Sequence, residues 1–310
     1  MFDIAYQALG LELSNSYHDR TKLFSIRDGF ILLGTILAAA LPTILESYGL
    51  SEVIKLQMTA LVYVFILFLS VYFIRKVPEK TQIKSKSEKK YSLKTCFKNR
   101  AFNVLSINYF LTSFGSTISG GLILIYLEYV LGVTAGSKYI LVFFIFSLAG
   151  MPLWVYLSKR IDKLPVWIIA MSLTTISFGG ILFLGHGHEL YYLLIIIVSG
   201  IGVGGCLAIP SSMQADIAEL ESKDYGMNLQ ASLVSFWAMI KKISAAIGVG
   251  VAFPLLEYAG FVANTQQSES VVFMIKVLYA GVPLGCYLLA IFVAFFYPLS
   301  KSNFLKVEST

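Results

Sequence analysis

Few side chains in this sequence are suited to chemistry, and most of those stand in apolar surroundings. Asp3 lies in an apolar stretch, residues 1–13, that also holds Glu12. A carboxylate within an apolar helix costs about 2.5–3.5 kcal/mol on insertion scales, so it is expected to face a cavity or a partner. With Met1 as the true start, Asp3 would instead be a solvated terminal residue. Tyr6 and Gln7 fall one helical turn from Asp3 and would share its face. Lys241 and Lys242 interrupt a second apolar run and admit two readings. They mark the boundary of a span over Ile243–Ala263, with their stems snorkelling to the surface. Alternatively Asn228–Ile240 is also in the membrane, and Lys242 lies about 20 Å along one helix. Arg20 and Arg27, against Asp216, Glu219, Glu221 and Asp224, offer charges of opposite sign, which loop solvation explains equally well.

Three further patterns fail on their context. Gly200–Gly205 (GIGVGG) satisfies G-x-G-x-x-G, but a dinucleotide site needs that run between a strand and a helix. Here it sits inside an apolar span, where small residues let helices approach closely. His186 and His188 have only Glu189 beside them, which is thin for a metal site. The acidic stretch Asp216–Asp224 has no second acidic cluster on the same side to share Mg²⁺ and diphosphate. Cys96, Cys206 and Cys286 are too widely spaced for a metal cluster or a disulfide framework. No metal, no cofactor and no enzymatic step is expected.

The elements that must position these residues are set by composition. Of 310 residues 57% are hydrophobic and 14% charged, against about 25% charged in soluble domains. Apolar stretches of roughly the 20 residues a membrane crossing needs recur from Gly29 to Leu299. A β-barrel is excluded because runs such as Leu61–Val71 (LVYVFILFLSV) do not alternate. The expected fold is an all-α membrane protein. Its eight full spans fall near 28–49, 55–75, 102–131, 138–158, 165–186, 190–213, 229–262 and 271–298, after a partial helix at the N-terminus. The N-terminus itself lacks a secretory leader pattern.

Placing the loops on alternate sides puts all but Lys55, Lys138 and Lys276 of the 24 basic residues on one face. That face is expected to be cytoplasmic, in the plasma (inner) membrane, with both ends of the eight-span block inside. The net charge of +6 is thereby assigned to loops and to membrane lipids rather than to nucleic acid. Arg75–Arg100 is the only long polar stretch and reads as a linker. The expected division is 1–76, the remainder of one bundle; 77–100, a basic cytoplasmic linker; 101–300, a six-helix bundle; and 301–310, a cytoplasmic tail.

Specific runs carry a resemblance. Asp3–Arg27 (DIAYQALGLELSNSYHDRTKLFSIR) is similar to the fourth-helix signature of the glycoside–pentoside–hexuronide:cation symporters, a family of the major facilitator superfamily. Met151–Lys163 (MPLWVYLSKRIDK) resembles that family's basic turn after helix eight. Pro210–Lys242, with PSSMQADIAE, a short acidic loop, Gly226 and SFWAMIKK, resembles its link between helices ten and eleven. The resemblance implies two six-helix bundles, of which the first three and a half helices are expected to lie outside this sequence. It implies cation-coupled symport of a small-molecule sugar or glycoside by alternating access, in a monomer. The coupling cation, Na⁺ or H⁺, would bind on those absent helices.

By the same resemblance Asp3 accepts hydrogen bonds from sugar hydroxyls, with Tyr6 and Gln7 beside it; Gln7 departs from the aromatic ring a sugar platform prefers. Lys242 faces the central cavity, with Trp237 and Ser235 along the same path. Arg20, Arg27, Asp216 and Glu219 close a cytoplasmic gate. A lysophospholipid-type or other organic solute, and a truncated remnant that transports nothing, are the alternatives.

Overall fold

In an apolar medium every backbone N–H and C=O must pair within its own segment, which favours helices. Each of the eight expected spans is helical in the structure, a computed structural model that describes residues 17–48, 51–76, 97–133, 136–225 and 230–299. In chain order the helices are α1 (Tyr17–Ser47), α2 (Glu52–Ile74), α3 (Arg100–Tyr129) and α4 (Ser137–Ile161). They continue with α5 (Lys163–Leu182), α6 (Glu189–Tyr225), α7 (Gln230–Tyr258) and α8 (Glu269–Ala294), the last containing a π turn at Val277–Gly281. Among the described residues seven helical stretches are long and apolar enough to cross a membrane. No strand occurs among them.

One expectation needs correction. The sixth described span was placed at 190–213, followed by an acidic loop, but α6 runs on without a break to Tyr225. Pro210 is accommodated inside the helix, and the residues after it (MQADIAELE) are mostly good helix formers. The acidic side chains therefore decorate the last turns of a helix.

The chain divides into two compact units at Ile26 and Arg27, within α1. The smaller takes the rest of α1 and α2; apolar side chains along α2 are exposed, Phe68 to 70%. In the larger unit α6 packs most extensively on α4 and α5, and α3 on α8 and α7, with α5 also against α8. Glycine makes the approach to α6 possible. A Cβ at Gly200 would stand 2.6 Å from the Phe143 carbonyl oxygen, and one at Gly205 2.6 Å from the Ala170 Cβ. Gly204 faces the backbone of Ser147 more tightly still. The GIGVGG run is thus the surface on which α4 and α5 lie, and Trp154 locks it by donating its indole N–H to the Ile201 carbonyl at 2.7 Å.

At the opposite end of α3 the core is aromatic. Tyr126 stacks on Tyr279 with ring centroids 4.3 Å apart, and Tyr192 and Tyr279 share a hydroxyl hydrogen bond of 2.7 Å. Tyr126 donates to the Ile181 carbonyl. Tyr279 sits on the π turn, and its own carbonyl accepts from Ser119 at 2.9 Å.

The start of α3 is fixed by a side chain. Asn99 caps α3, its amide oxygen accepting from Ala101 N at 2.8 Å and Phe102 N at 3.2 Å. Its amide nitrogen donates to Glu221 on α6 at 2.5 Å, so one side chain both starts α3 and ties it to α6. Asn99→Ala is expected to cost about 1–2 kcal/mol, read as a lowered thermal midpoint in detergent. Asn99→Asp keeps the cap but sets a carboxylate against Glu221, and is expected to fall between Ala and the native protein.

Candidate functional site

Charged groups in an apolar bundle are the informative ones, because each must find a partner, water or a cavity. Lys163 is the first residue of α5, its N–H held at 2.7 Å by the Asp162 side chain, and Asp162 itself adopts φ of +80° at the turn between α4 and α5. The Lys163 ammonium reaches across to Asp216 on α6 at 2.5 Å, and both side chains are buried, at 2% and 5% exposure. Tyr297, just past the end of α8, closes over them. Burial pushes its phenol well above the ordinary value, and the nearby Asp216 and Asp162 carboxylates push it further. Four segments, the α4–α5 turn, α5, α6 and the end of α8, meet at this point.

Asp216 was expected at a solvated mouth, and instead it anchors α6 to α5. Glu219, one turn on, is half-buried, and Glu221 takes the Asn99 hydrogen bond described above. Arg27 lies in the smaller unit and binds its neighbour Asp28 through Nε at 2.8 Å and Nη2 at 2.6 Å. Arg20 lies on α1; its side chain falls outside the described residues, as do Asp3, Tyr6 and Gln7 entirely. Beside Arg20, Thr21 shares a buried hydrogen bond of 2.9 Å with Ser212 of α6. The start of α1 thus meets α6 one turn before Asp216.

Helix α7 bears on the question left open around Lys242. It is continuous from Gln230 to Tyr258, so Lys242 stands about 18 Å from its start at 1.5 Å per residue. Lys241 and Lys242 are both exposed, and neither makes an ion pair with a described residue. Two bare ammonium groups thus stand well inside a helix whose stretch Ser232–Tyr258 is long and apolar enough to span a bilayer. One turn earlier, Trp237 is 2% exposed and packs on Phe102 of α3 with ring centroids 5.3 Å apart, yet its indole N–H has no acceptor. Ser235 is half-buried near the start of the same helix.

Among the described residues no group of three or more His, Cys, Asp and Glu is disposed to hold a metal. His188 instead accepts from the Gly185 N–H at 3.1 Å across the turn between α5 and α6, and His186 lies against Gly132. The Lys163–Asp216 pair and the Asn99–Glu221 tie are the polar contacts that sequence reasoning missed. The one hint was an Asp-Lys pair at a turn between two spans, which identifies neither partner 53 nor 122 residues away.

Comparison with known proteins gives a coherent result. The family model described as MFS/sugar transport protein matches residues 1–301. The chain is 26% identical over 219 residues to the glucuronide carrier protein homolog of Escherichia coli (strain K12), a match covering 70% of this chain and 48% of that protein. It is 21% identical over 210 residues to the sodium-dependent lysophosphatidylcholine symporter 1-A of Danio rerio, covering 64% of this chain and 38% of that one. The chain therefore spans less than half the length of these relatives. Among solved structures, that of the E. coli fucose:proton symporter superposes with a TM-score of 0.68 at 12% identity, over 96% of this chain and 73% of that one. At such identity the likeness concerns the fold.

Proposed function

Because the chain belongs to the MFS/sugar transport protein family, we propose that it is a secondary active transporter that carries a sugar or glycoside together with a cation by alternating access. The observation that carries this reading is Lys242. A bare ammonium about 18 Å into a continuous spanning helix needs a wet cavity or a polar ligand to offset its desolvation. A solute path between two bundles supplies both. Such transport requires no covalent step.

In this reading Asp3, with Tyr6 and Gln7 on the same face, takes sugar hydroxyls from one side of the path. Lys242 and Trp237 take the solute from the other. The coupling cation in this reading is Na⁺ or H⁺. Arg20 and Glu219 hold the cytoplasmic mouth closed in one half of the cycle. The Thr21–Ser212 hydrogen bond supports that last point, because it brings the start of α1 onto α6 beside Asp216.

A lysophospholipid-type substrate is the second reading, favoured by the zebrafish relative named above. Lys242 suits both, since a phosphate head and a polyol each accept from an ammonium. The experiment is uptake of a sugar panel and of a lysophospholipid into vesicles, with and without a Na⁺ gradient. A sugar accumulated only with a cation gradient is the expected result, and Lys242→Ala is expected to lower that uptake about a hundredfold. Uptake of the lipid alone would replace the sugar reading. Undiminished sugar uptake by Lys242→Ala would remove that residue from the path.

A further inference from the structure

The pattern Tyr-x-x-basic-basic occurs twice in the chain, as Tyr72–Lys76 (YFIRK) where α2 ends and as Tyr156–Arg160 (YLSKR) in the last turns of α4. In both, the second cation folds back one turn onto the tyrosine. The Lys76 ammonium stands 4.4 Å from the Tyr72 ring centroid, and the Arg160 guanidinium 5.0 Å from that of Tyr156. Both tyrosines are exposed, at 56% and 54%, and so are Arg75, Lys76, Lys159 and Arg160. None of the four cations makes an ion pair with a described residue. Two crossings, α3 and α4, separate the patterns, so both fall on the basic face read above as cytoplasmic.

A cation that only marks a membrane boundary stretches its stem away from the hydrocarbon into water. A basic residue near the end of a helix also complements the helix dipole, but that places no demand on the residue one turn earlier. Here each cation lies back over an exposed ring, at the level where an interfacial tyrosine stands. Before the ring runs an exposed stripe with the same spacing in both helices. Leu61, Phe65 and Phe68 lead to Tyr72, and Ile145, Ala149 and Pro152 lead to Tyr156. From Ile145 to Tyr156 is about 16 Å of helix, close to half of the roughly 30 Å of hydrocarbon in a bilayer. Each stripe thus offers one acyl chain's length of apolar surface, an aromatic ring at its head and two cations beyond it. Lys138, at the other end of α4, is the contrast. It lies over the Tyr139 ring at 5.1 Å, but that tyrosine is buried and no second cation adjoins it.

We propose that the ends of α2 and α4 each seat one anionic phospholipid, its phosphodiester held by the paired cations and its acyl chain laid along the stripe that leads to the tyrosine. A guanidinium matches two phosphate oxygens at once, and an ammonium meets them as a point charge. The carboxylate that follows the α4 pair, Asp162, accepts from the Lys163 N–H at 2.7 Å and takes part in a further interaction. It is therefore engaged, and the ammonium of a zwitterionic head group gains no carboxylate there. The lipid is a bound neighbour rather than the transported solute, so the proposal stands apart from either substrate reading.

Native mass spectrometry of the full chain tests this, with the protein in detergent mixed with equal amounts of phosphatidylglycerol and phosphatidylcholine. Phosphatidylglycerol is expected to be retained about tenfold or more over phosphatidylcholine, up to two molecules per chain. Lys159→Gln with Arg160→Gln is expected to remove one of the two, and Arg75→Gln with Lys76→Gln the other. Tyr156→Leu keeps both charges and is expected to lower the preference at the α4 seat about threefold. Lys138→Gln is the control, expected to change nothing. All these side chains except the ring of Tyr139 are exposed, so the variants are expected to keep the native elution from a sizing column. Glycerol phosphate, a head group without its chain, is expected not to displace the lipid at equal concentration. Displacement would assign the cations to a soluble phosphate and overturn the lipid seats. Equal retention of the two lipids, a count unmoved by the paired Gln variants, a loss as large in Lys138→Gln, or a full preference in Tyr156→Leu would overturn them as well.

Discussion

Gly204→Val is expected to prevent α4 and α6 from closing on each other, and the variant to be recovered as aggregate when the native protein elutes as a single species from a sizing column in detergent. The physical reason lies in what the new Cβ would meet. It points at the backbone carbonyl of Ser147, inside any van der Waals distance, and the Ser147 carbonyl carbon would be 3.3 Å away. A backbone atom cannot swing aside as a side-chain end does, so the whole of α4 must move. Overpacking typically costs about 1–3 kcal/mol and more where backbone must shift. The displaced α4 would also lose the Trp154 hydrogen bond to Ile201. Gly250→Ala is the control: nothing lies within 4 Å of its added Cβ. Removing a glycine from a helix there is expected to raise stability by about 0.4–1 kcal/mol. Equal behaviour of the two variants would refute the packing role of the GIGVGG run.

The second large effect is expected from Lys163→Met. Taking the ammonium from Asp216 leaves a buried carboxylate without the charge it is bonded to, and breaking such a pair costs about 3–5 kcal/mol. Asp216 takes part in a further interaction, which places the loss at the lower end of that range. Lys163→Met combined with Asp216→Leu removes both charges together. It is expected to recover most of the loss, because two apolar side chains of similar volume replace an ion pair at little net cost. The measurement is the thermal midpoint of the four-member cycle in detergent. Additive losses in the double variant would show that the two residues do not act as a pair.

Much of the fold was legible, because a membrane crossing imposes a minimum length and forbids strand edges, and both requirements write themselves into apolar runs. Span ends were legible where charge or Gly stood at the boundary, as at Arg100 and Glu189. They failed at α6, where Pro210 and the acids after it looked like a loop. Helix continuity there depends on helix-forming residues and on burial against α5, and neither is visible in a hydropathy pattern.

Lys163 shows a second kind of limit. Counting basic residues by side treats each as solvated, whereas this one is buried against a carboxylate on another helix. Trp237 was picked out as lining a path, but its unsatisfied N–H depends on what α3 brings to it. Lys241 and Lys242 were read as one feature, although a helix separates their directions by about 100°. Of the residues read as binding the solute, Lys242 and Trp237 fall among the described ones and Asp3, Tyr6 and Gln7 do not.

The widened turn at Val277–Gly281 has a bearing on how α8 tolerates change. A π turn accommodates one more residue than a regular turn over the same arc, so the halves before and after it keep their own neighbours despite the surplus. The first half can present Tyr279 to Tyr126 and Tyr192 while the second presents Tyr287 to Ser116. Excising a single residue within Val277–Gly281 would let the rod revert to ordinary pitch with both halves still aimed as before. The same excision a few positions later would rotate every following side chain by about 100° and unseat the end of the helix.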